Sequence, residues 1–583
     1  MPDPVRVVAS AVARRYMDVR GWWITAALAT LAALLRLPNL DRPHVFSFDE
    51  TYYAKDAYSL LKFGYERAFV GPANDLLLAG KTAVFRDTPE FVVHPPLGKW
   101  AIALGEAMFG VNPFGWRIVM ALLGIAAVAL VHRTTLRLTS NVHIAALAGL
   151  FMAIDGEAIV LSRTALLDQT LMFFVLATFW ALVRDRDAYV HTLAMRDYLD
   201  RMPRLRALRP WRIAATIFIT CAFSTKWSAL WFAIAFAWLA LWWDARARKA
   251  HGVTRVPWLA DLGWLALSAV IGVGGYLLSW IGWFRSTDAW DRTWTDGTES
   301  WLPQSLRAFI YYHQQALHFH VTLTSDHPYK ASPYWWLLQL RPTSFSYLSY
   351  QPHEGPCRSS NVQCAAEVLA LGNVVIWWTA TATIVVLVAN LLARLLRVRL
   401  SILRASFDAR RAGRVPWDAV AGPLTGVAAG WLPWVYFHER TTFTFYSIVF
   451  TPFVCMLAAQ GLALFATRRV RAIAEPDLWS GGLTDAERVL LRMHAEQAMF
   501  SASNADFTFA GRLDESAVVV DAAEAPPTPG FVEFDELHPR RFFIAAVIVG
   551  LAIGFSAFVL PIWTGAPMPY SAWRMRMLFN SWV

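Results

Sequence analysis

From Trp22 to Leu35 the chain reads WWITAALATLAALL, and after the short link RLPNLDRP it continues from His44 to Asp56 as HVFSFDETYYAKD. The first stretch, carried on to residue 38, is an apolar helix of roughly 17 residues, enough to cross most of a hydrocarbon layer about 30 Å thick. The second places two adjacent acids, Asp49 and Glu50, among Phe46, Phe48, Tyr52 and Tyr53, immediately beyond the membrane boundary. No small-residue cleavage site separates the two, so the first stretch reads as an uncleaved anchor behind an Arg-bearing N-terminus.

The rest of the chain repeats this theme. Of 583 residues, 56% are hydrophobic and 16% charged, where a soluble protein carries about a quarter charged. Apolar stretches follow at about 114–132, 142–160, 166–183, 211–225, 227–243, 258–282, 368–393, 416–436, 442–466 and 542–563. Together with the first they predict an all-α polytopic membrane protein of about eleven transmembrane helices. The net charge of +10 comes from cations in the loops between spans, so it calls for no nucleic-acid partner. Arg-rich links at 184–212, 246–255 and 394–414 read as cytoplasmic, which puts the N-terminus inside and the Asp49 loop outside a cell membrane. The 29 Trp suit the two membrane boundaries.

Two outer segments, 39–113 and 284–366, are long enough to fold on the surface. An inner segment, 467–541, is rich in Asp, Glu, Ala and Ser from Glu475 to Glu536 and reads as a partly flexible insert. The expected organisation is therefore a transmembrane catalytic domain over 1–466, the insert, and a last span with an outer tail over 542–583. In the second outer segment Cys357 and Cys364 enclose CRSSNVQC, and an oxidising compartment favours a disulfide over two free thiols.

Cations gather at the same level as the acidic pair. FGWR places Arg117 at the outer start of the second span, where it needs an anionic partner: Asp49, Glu50, Asp168 or a lipid phosphate. SRTALLD adds Arg163 and Asp168, STKWSALW adds Lys226, and FHER adds Arg440. VVHPPLGKW opens an amphipathic stretch in which His94 either shapes a substrate groove or serves as a structural donor. His327 and Trp335 are further groove candidates. Charges collected at a rim suit chemistry on a lipid headgroup, whereas a transporter places them at the midplane in broken helices. No compact ligand cluster calls for a metal.

FDETYYAKD, HPPLGKW, FGWR, SRTALLD, STKWSALW, HPYKASPYWWLL and LPWVYFHERTTFTFY, in this order over most of the chain, resemble the protein O-mannosyltransferases of the GT-C fold, and most closely their actinobacterial branch. The resemblance implies a GT-C glycosyltransferase with outer-face amphipathic helices. The implied reaction moves mannose from polyprenyl-phosphate mannose to Ser/Thr hydroxyls of exported proteins, with inversion and no required cofactor. It assigns the base to Asp49, with Glu50 beside it, and leaves Arg117, Arg163, Lys226 and Arg440 as donor-phosphate ligands. His94, Asp168, His327 and Trp335 would form the groove. Partners would be membrane lipid, the secreted or membrane-bound acceptor polypeptides and the protein-export translocase. Eukaryotic members carry histidines where this chain reads TFTFYSIVFTP, so no histidine role carries over to Tyr446. A GT-C transferase acting on a lipid or glycan acceptor is the near alternative, and a transporter or flippase the remote one.

Overall fold

The computed structural model describes residues 4–198, 209–251, 258–358, 361–395, 417–473 and 531–583. A helix lies at every expected span. They are α1 (Pro4–Arg36), then, after the loop that carries α2 (Glu50–Phe63), β1 (Arg67–Phe69), α3 (Ala73–Leu78), β2 (Phe85–Pro89) and α4 (Leu97–Phe109), the helices α5 (Pro113–Thr139), α6 (Val142–Ile154) with α7 (Gly156–Ser162), α8 (Leu167–Tyr198), α9 (Pro210–Phe223), α10 (Ala229–Ala250) and α11 (Trp258–Ser279). Beyond α12 (Ile281–Arg285), α13 (Gln304–Thr322), β3 (Thr343–Tyr350) and β4 (Cys364–Ala370) come α14 (Val374–Leu395), α15 (Trp417–Tyr436) and α16 (Thr451–Ala466). The strands β5 (Thr467–Ile473) and β6 (Phe531–Leu537) precede α17 (Pro539–Trp563), and β7 (Met568–Pro569) and α18 (Tyr570–Arg576) follow it.

Five of these helices, α5, α8, α11, α14 and α17, are long and apolar enough to cross a membrane, or six crossings with the bent pair α6 and α7. Helices α9 and α16 are apolar but shorter. On α11, Leu262, Val270 and Leu278 are exposed. An outward row of branched aliphatics is stable only against hydrocarbon.

The spans differ from the sequence expectation in three places. The third is broken, with a 57° bend between α6 and α7. Asp155 makes the break tolerable by capping Ala158 N (3.0 Å), while Arg36 donates to the carbonyls of Met152 (3.1 Å) and Ala153 (2.9 Å) that the bend leaves unpaired. The eighth begins as the buried strand β4 and becomes helical at Val374, and the tenth opens as a short 3-10 turn, Thr444–Val449, before α16. Hydrophobicity alone does not separate a buried strand from the start of a span.

The chain divides into two compact units. One comprises Met1–Trp23 and Leu464–Ile544, and within it β5 and β6 pair antiparallel from Thr467↔Leu537 to Ile473↔Phe531. The expected flexible insert falls mostly on 474–530, outside the described residues. The other unit, Ile24–Ala463 with Ala545–Val583, contains the elements described next.

At one end of its helices, Arg209 bridges Asp185 and Asp244, joined by Arg212, and these buried pairs tie α8, α9 and α10 together. At the other end, β3, β4 and β7 form an antiparallel sheet in that order, and a disulfide between Cys357 and Cys364 closes the β3–β4 connection. The Asp49 loop lies at this second end.

Candidate active site

Asp49 and Glu50 lie side by side in sequence and have opposite surroundings. Glu50 is fully buried, and its carboxylate accepts from Ser47 N (2.8 Å) and Ala165 N (2.9 Å). It also takes a fork from Arg117, Nε to Oε1 at 2.8 Å and Nη2 to Oε2 at 2.7 Å. The bond from Ser47 N closes the turn that leads into α2. The other Arg117 N–H groups reach the carbonyls of Leu40 (3.2 Å), Pro43 (3.0 Å) and Val45 (2.8 Å). A guanidinium has five donors, and all are engaged here within the protein. Arg117 therefore clamps the loop and has no donor left for a phosphate, and Glu50 is a positioning residue for that clamp.

Arg163 is also engaged by backbone, through three of its five N–H donors. Its Nη1 and Nη2 donate to the carbonyls of Arg36 (2.7 Å), Pro38 (2.8 Å) and Asn39 (2.9 Å), capping the C-terminus of α1.

Asp49 begins α2 without making a capping bond to it. Burial pushes its carboxyl up to about 6, with Lys226 pulling it down and Asp168 pushing it further up. Lys226 donates to Asp168 Oδ2 at 2.7 Å, and its ammonium stands 5.3 Å from the centre of the Tyr446 ring. Among the described residues the contact with Asp168 is its one side-chain bond, which leaves two of its three donors for another anion.

Phe48 holds Asp49 in position. Its backbone is left-handed, with φ +52°, a conformation that an aromatic residue adopts only when its surroundings impose it. Phe48 N donates to Phe345 O (3.0 Å), and its ring stacks on Phe345 at 5.1 Å. Phe445, Phe443 and His327 meet it edge-on at 5.4, 5.6 and 5.9 Å. His327 thus belongs to the cage around Phe48, and its Nδ1 accepts from Tyr329 N.

A second cluster faces the same residues. Arg440 Nη2 lies 3.3 Å from His320 Nδ1, and His320 Nε2 lies 3.0 Å from Val93 O. The two contacts fit one neutral tautomer, with the proton on Nε2. Burial holds His320 down at about 4. The His94 ring lies 5.1 Å from that of His320 and 6.3 Å from that of Tyr53, tilted to both. Its buried Nδ1 has no partner among the described residues, and burial, helped by Lys226, His320, Lys99 and Arg440, holds its pKa well below the ordinary range.

Trp335, expected in the groove, is 51% exposed, whereas its neighbour Trp336 is fully buried with its ring 6.2 Å from Tyr446. The sequence analysis gave no site role to Phe48, His320 or Tyr446. A run of adjacent tryptophans carried no signal for which one turns inward, while the dense aromatics of TFTFY marked the segment without ranking its members.

Among α8, α9, α10 and α11 lies a mainly apolar cavity of about 590 Å³, with Arg212 and Asp261 at one end and Tyr276 and Phe309 at the other. Tyr276 accepts from Trp227 Nε1 at 3.0 Å, so the cavity ends beside the residue that follows Lys226.

Residues 26–274 match the family model of dolichyl-phosphate-mannose-protein mannosyltransferases, and 305–582 match that of the C-terminal four-span region of protein O-mannosyltransferases. The polyprenol-phosphate-mannose–protein mannosyltransferase of Mycobacterium tuberculosis is 33% identical over 463 residues, covering 75% of this chain and 80% of that one. Its counterpart in Corynebacterium glutamicum is 30% identical over 474 residues, covering 76% and 82%. Among solved structures, the S. cerevisiae protein O-mannosyltransferase Pmt1-Pmt2 complex bound to the sugar donor superposes with TM-score 0.61 at 13% identity, over 96% of this chain and 92% of that one. At that identity the likeness is one of fold.

Proposed function

The chain belongs to the protein O-mannosyltransferase family, and from that premise we propose that it transfers mannose from polyprenyl-phosphate mannose to Ser and Thr hydroxyls of polypeptides, with Asp49 as the base. The observation that carries this reading is the division of labour in the acidic pair: Glu50 is consumed by Arg117 and the backbone, while Asp49 is held by the Phe48 cage opposite Lys226 with its carboxylate free of the helix it begins.

The acceptor oxygen attacks the anomeric carbon as the bond from that carbon to phosphate oxygen breaks. The hydroxyl proton passes to Asp49, and the electron pair leaves with the lipid phosphate. A single displacement inverts the anomeric centre. The leaving group departs as an anion, so the site needs cations more than a second acid. Lys226 and Arg440 supply them, while Asp168 aligns Lys226 and His320 aligns Arg440. His94 and Trp336 line the approach. The apolar cavity ending at Tyr276 is suited to the prenyl chain, with the phosphate emerging near Lys226. No step requires a metal ion.

We read the protein as crossing the cell membrane eleven times, with its N-terminus in the cytoplasm and the Asp49 end outside. Residues 1–466 form the catalytic domain, 467–541 an inner appendage, and 542–583 the last span and outer tail. Acceptors emerging from the export translocase would meet the site there. The test is transfer in proteoliposomes from labelled polyprenyl-phosphate mannose to a Thr-bearing peptide. Label in the peptide, α-linked from a β-linked donor, is the expected result. Label in lipid instead would indicate a lipid-acceptor enzyme, and donor translocation without a glycosidic product a flippase.

A further inference from the structure

Strand β3 reads TSFSYLSY from Thr343 to Tyr350 and lies at an edge of its sheet, paired on one side with β4. The carbonyl of Gln363 accepts from Tyr570 on the β7 side (2.9 Å), so alternation turns Cys364, Ala366 and Val368 toward β3 and their partners Tyr350, Leu348 and Ser346 toward β4. The backbone groups of Tyr347 and Ser349 therefore face the open edge. Among the described residues, no backbone hydrogen bond outside the ladder reaches either of them. The same edge is occupied two residues earlier, where Phe345 O takes Phe48 N–H, one residue before Asp49.

A free edge is normally guarded by charge, proline or a covering element, because it recruits other strands. TSFSYLSY contains no charged residue, proline or glycine, and Tyr347 is 43% exposed. Building on the mannosyl-transfer reading above, we propose that the acceptor polypeptide binds in extended form as an added strand on the open edge of β3, pairing with the backbone of Tyr347 and Ser349 and delivering its hydroxyl to Asp49. At about 3.3 Å per residue, the path from Ser349 to Phe345 is about 13 Å, so the reactive Ser or Thr lies about four residues from the far end of the paired stretch. Main-chain pairing asks little of acceptor side chains, which suits an enzyme that must accept hydroxyls in varied sequences.

The experiment is a backbone N-methylation scan of a Thr-bearing acceptor peptide with the wild-type enzyme in proteoliposomes. Methylation at alternate residues on one side of the Thr is expected to raise peptide KM about ten-fold, each removing one hydrogen bond, with the intervening residues within about two-fold and donor KM unchanged. Ser349→Pro removes an outward N–H and leaves the ladder to β4 intact, so it is expected to raise peptide KM alone. A scan without effect, or one without two-residue alternation, overturns the proposal even if Ser349→Pro fails to fold. Unchanged peptide KM together with a smaller oligomer in Ser349→Pro would make the edge a contact between copies of the chain and equally overturn it. If the unmodified peptide is not mannosylated at all, the underlying functional reading fails instead.

Discussion

Replacing Arg117 separates the clamp reading from the phosphate-ligand reading. In Arg117→Ala, Glu50 keeps its bonds from Ser47 N and Ala165 N but loses both prongs of the fork, and three loop carbonyls lose their donor. Breaking one side of a buried ion pair costs about 3–5 kcal/mol, because the remaining charge is stranded. Glu50→Gln should cost a similar amount, since its amide would present N–H groups to the guanidinium. The double variant Glu50→Met with Arg117→Met should be less destabilised than the sum of the singles, with a coupling of roughly 2–3 kcal/mol. Arg117→Lys should rescue little, because one ammonium cannot span acceptors arranged for a planar fork. The assay pairs the thermal stability of the purified protein in detergent with donor and peptide kinetics of the folded fraction. Lower Tm and lower kcat with donor KM unchanged is the expected pattern. Wild-type Tm in Arg117→Ala with donor KM raised ten-fold or more would refute the reasoning and return Arg117 to the phosphate.

The remaining predictions concern the reacting groups. A base is active when deprotonated, and burial holds the Asp49 carboxyl up at about 6, so kcat should be level above about pH 7 and fall about ten-fold per pH unit well below 6; a profile level down to pH 4.5 would contradict this. Lys226→Met and Arg440→Met should each raise donor KM about ten-fold or more through loss of a charge-assisted contact, with peptide KM little changed, as read by initial rates at varied donor concentration. Phe48→Ala should lower kcat at least about ten-fold at unchanged donor KM, because it empties the cage that fixes Asp49; full activity would remove Phe48 from any positioning role.

The helical, membrane-spanning architecture was legible in the sequence because apolar stretches of near-constant length have few other uses. Features that depend on how distant segments meet were hidden. The position of the break at Asp155 depends on Arg36, Asn373 and Trp377, which are remote in the chain. The pattern of β4, CAAEVLA, is as apolar as the start of a span, and only its pairing with TSFSYLSY distinguishes it. At the site, the adjacent pair Asp49 and Glu50 does not by itself show how the two carboxylates differ, and only the family resemblance singled out Asp49. Their roles separate only when the helix start turns one carboxylate toward Arg117 and leaves the other facing Lys226. The cations at the rim were marked as a group, but the backbone carbonyls that Arg117 and Arg163 meet carry no side-chain signature. His320 went unremarked for a similar reason, since its contacts with Val93 O and Arg440 join segments more than 100 residues apart.

The central claim is tested most directly by Asp49→Asn, an isosteric change that keeps the shape of the loop and removes the base. Transfer from polyprenyl-phosphate mannose to a Thr-bearing peptide should fall by about 10²–10⁴-fold, with Tm and donor binding close to wild type. Transfer at the wild-type rate by a folded Asp49→Asn protein would contradict the account.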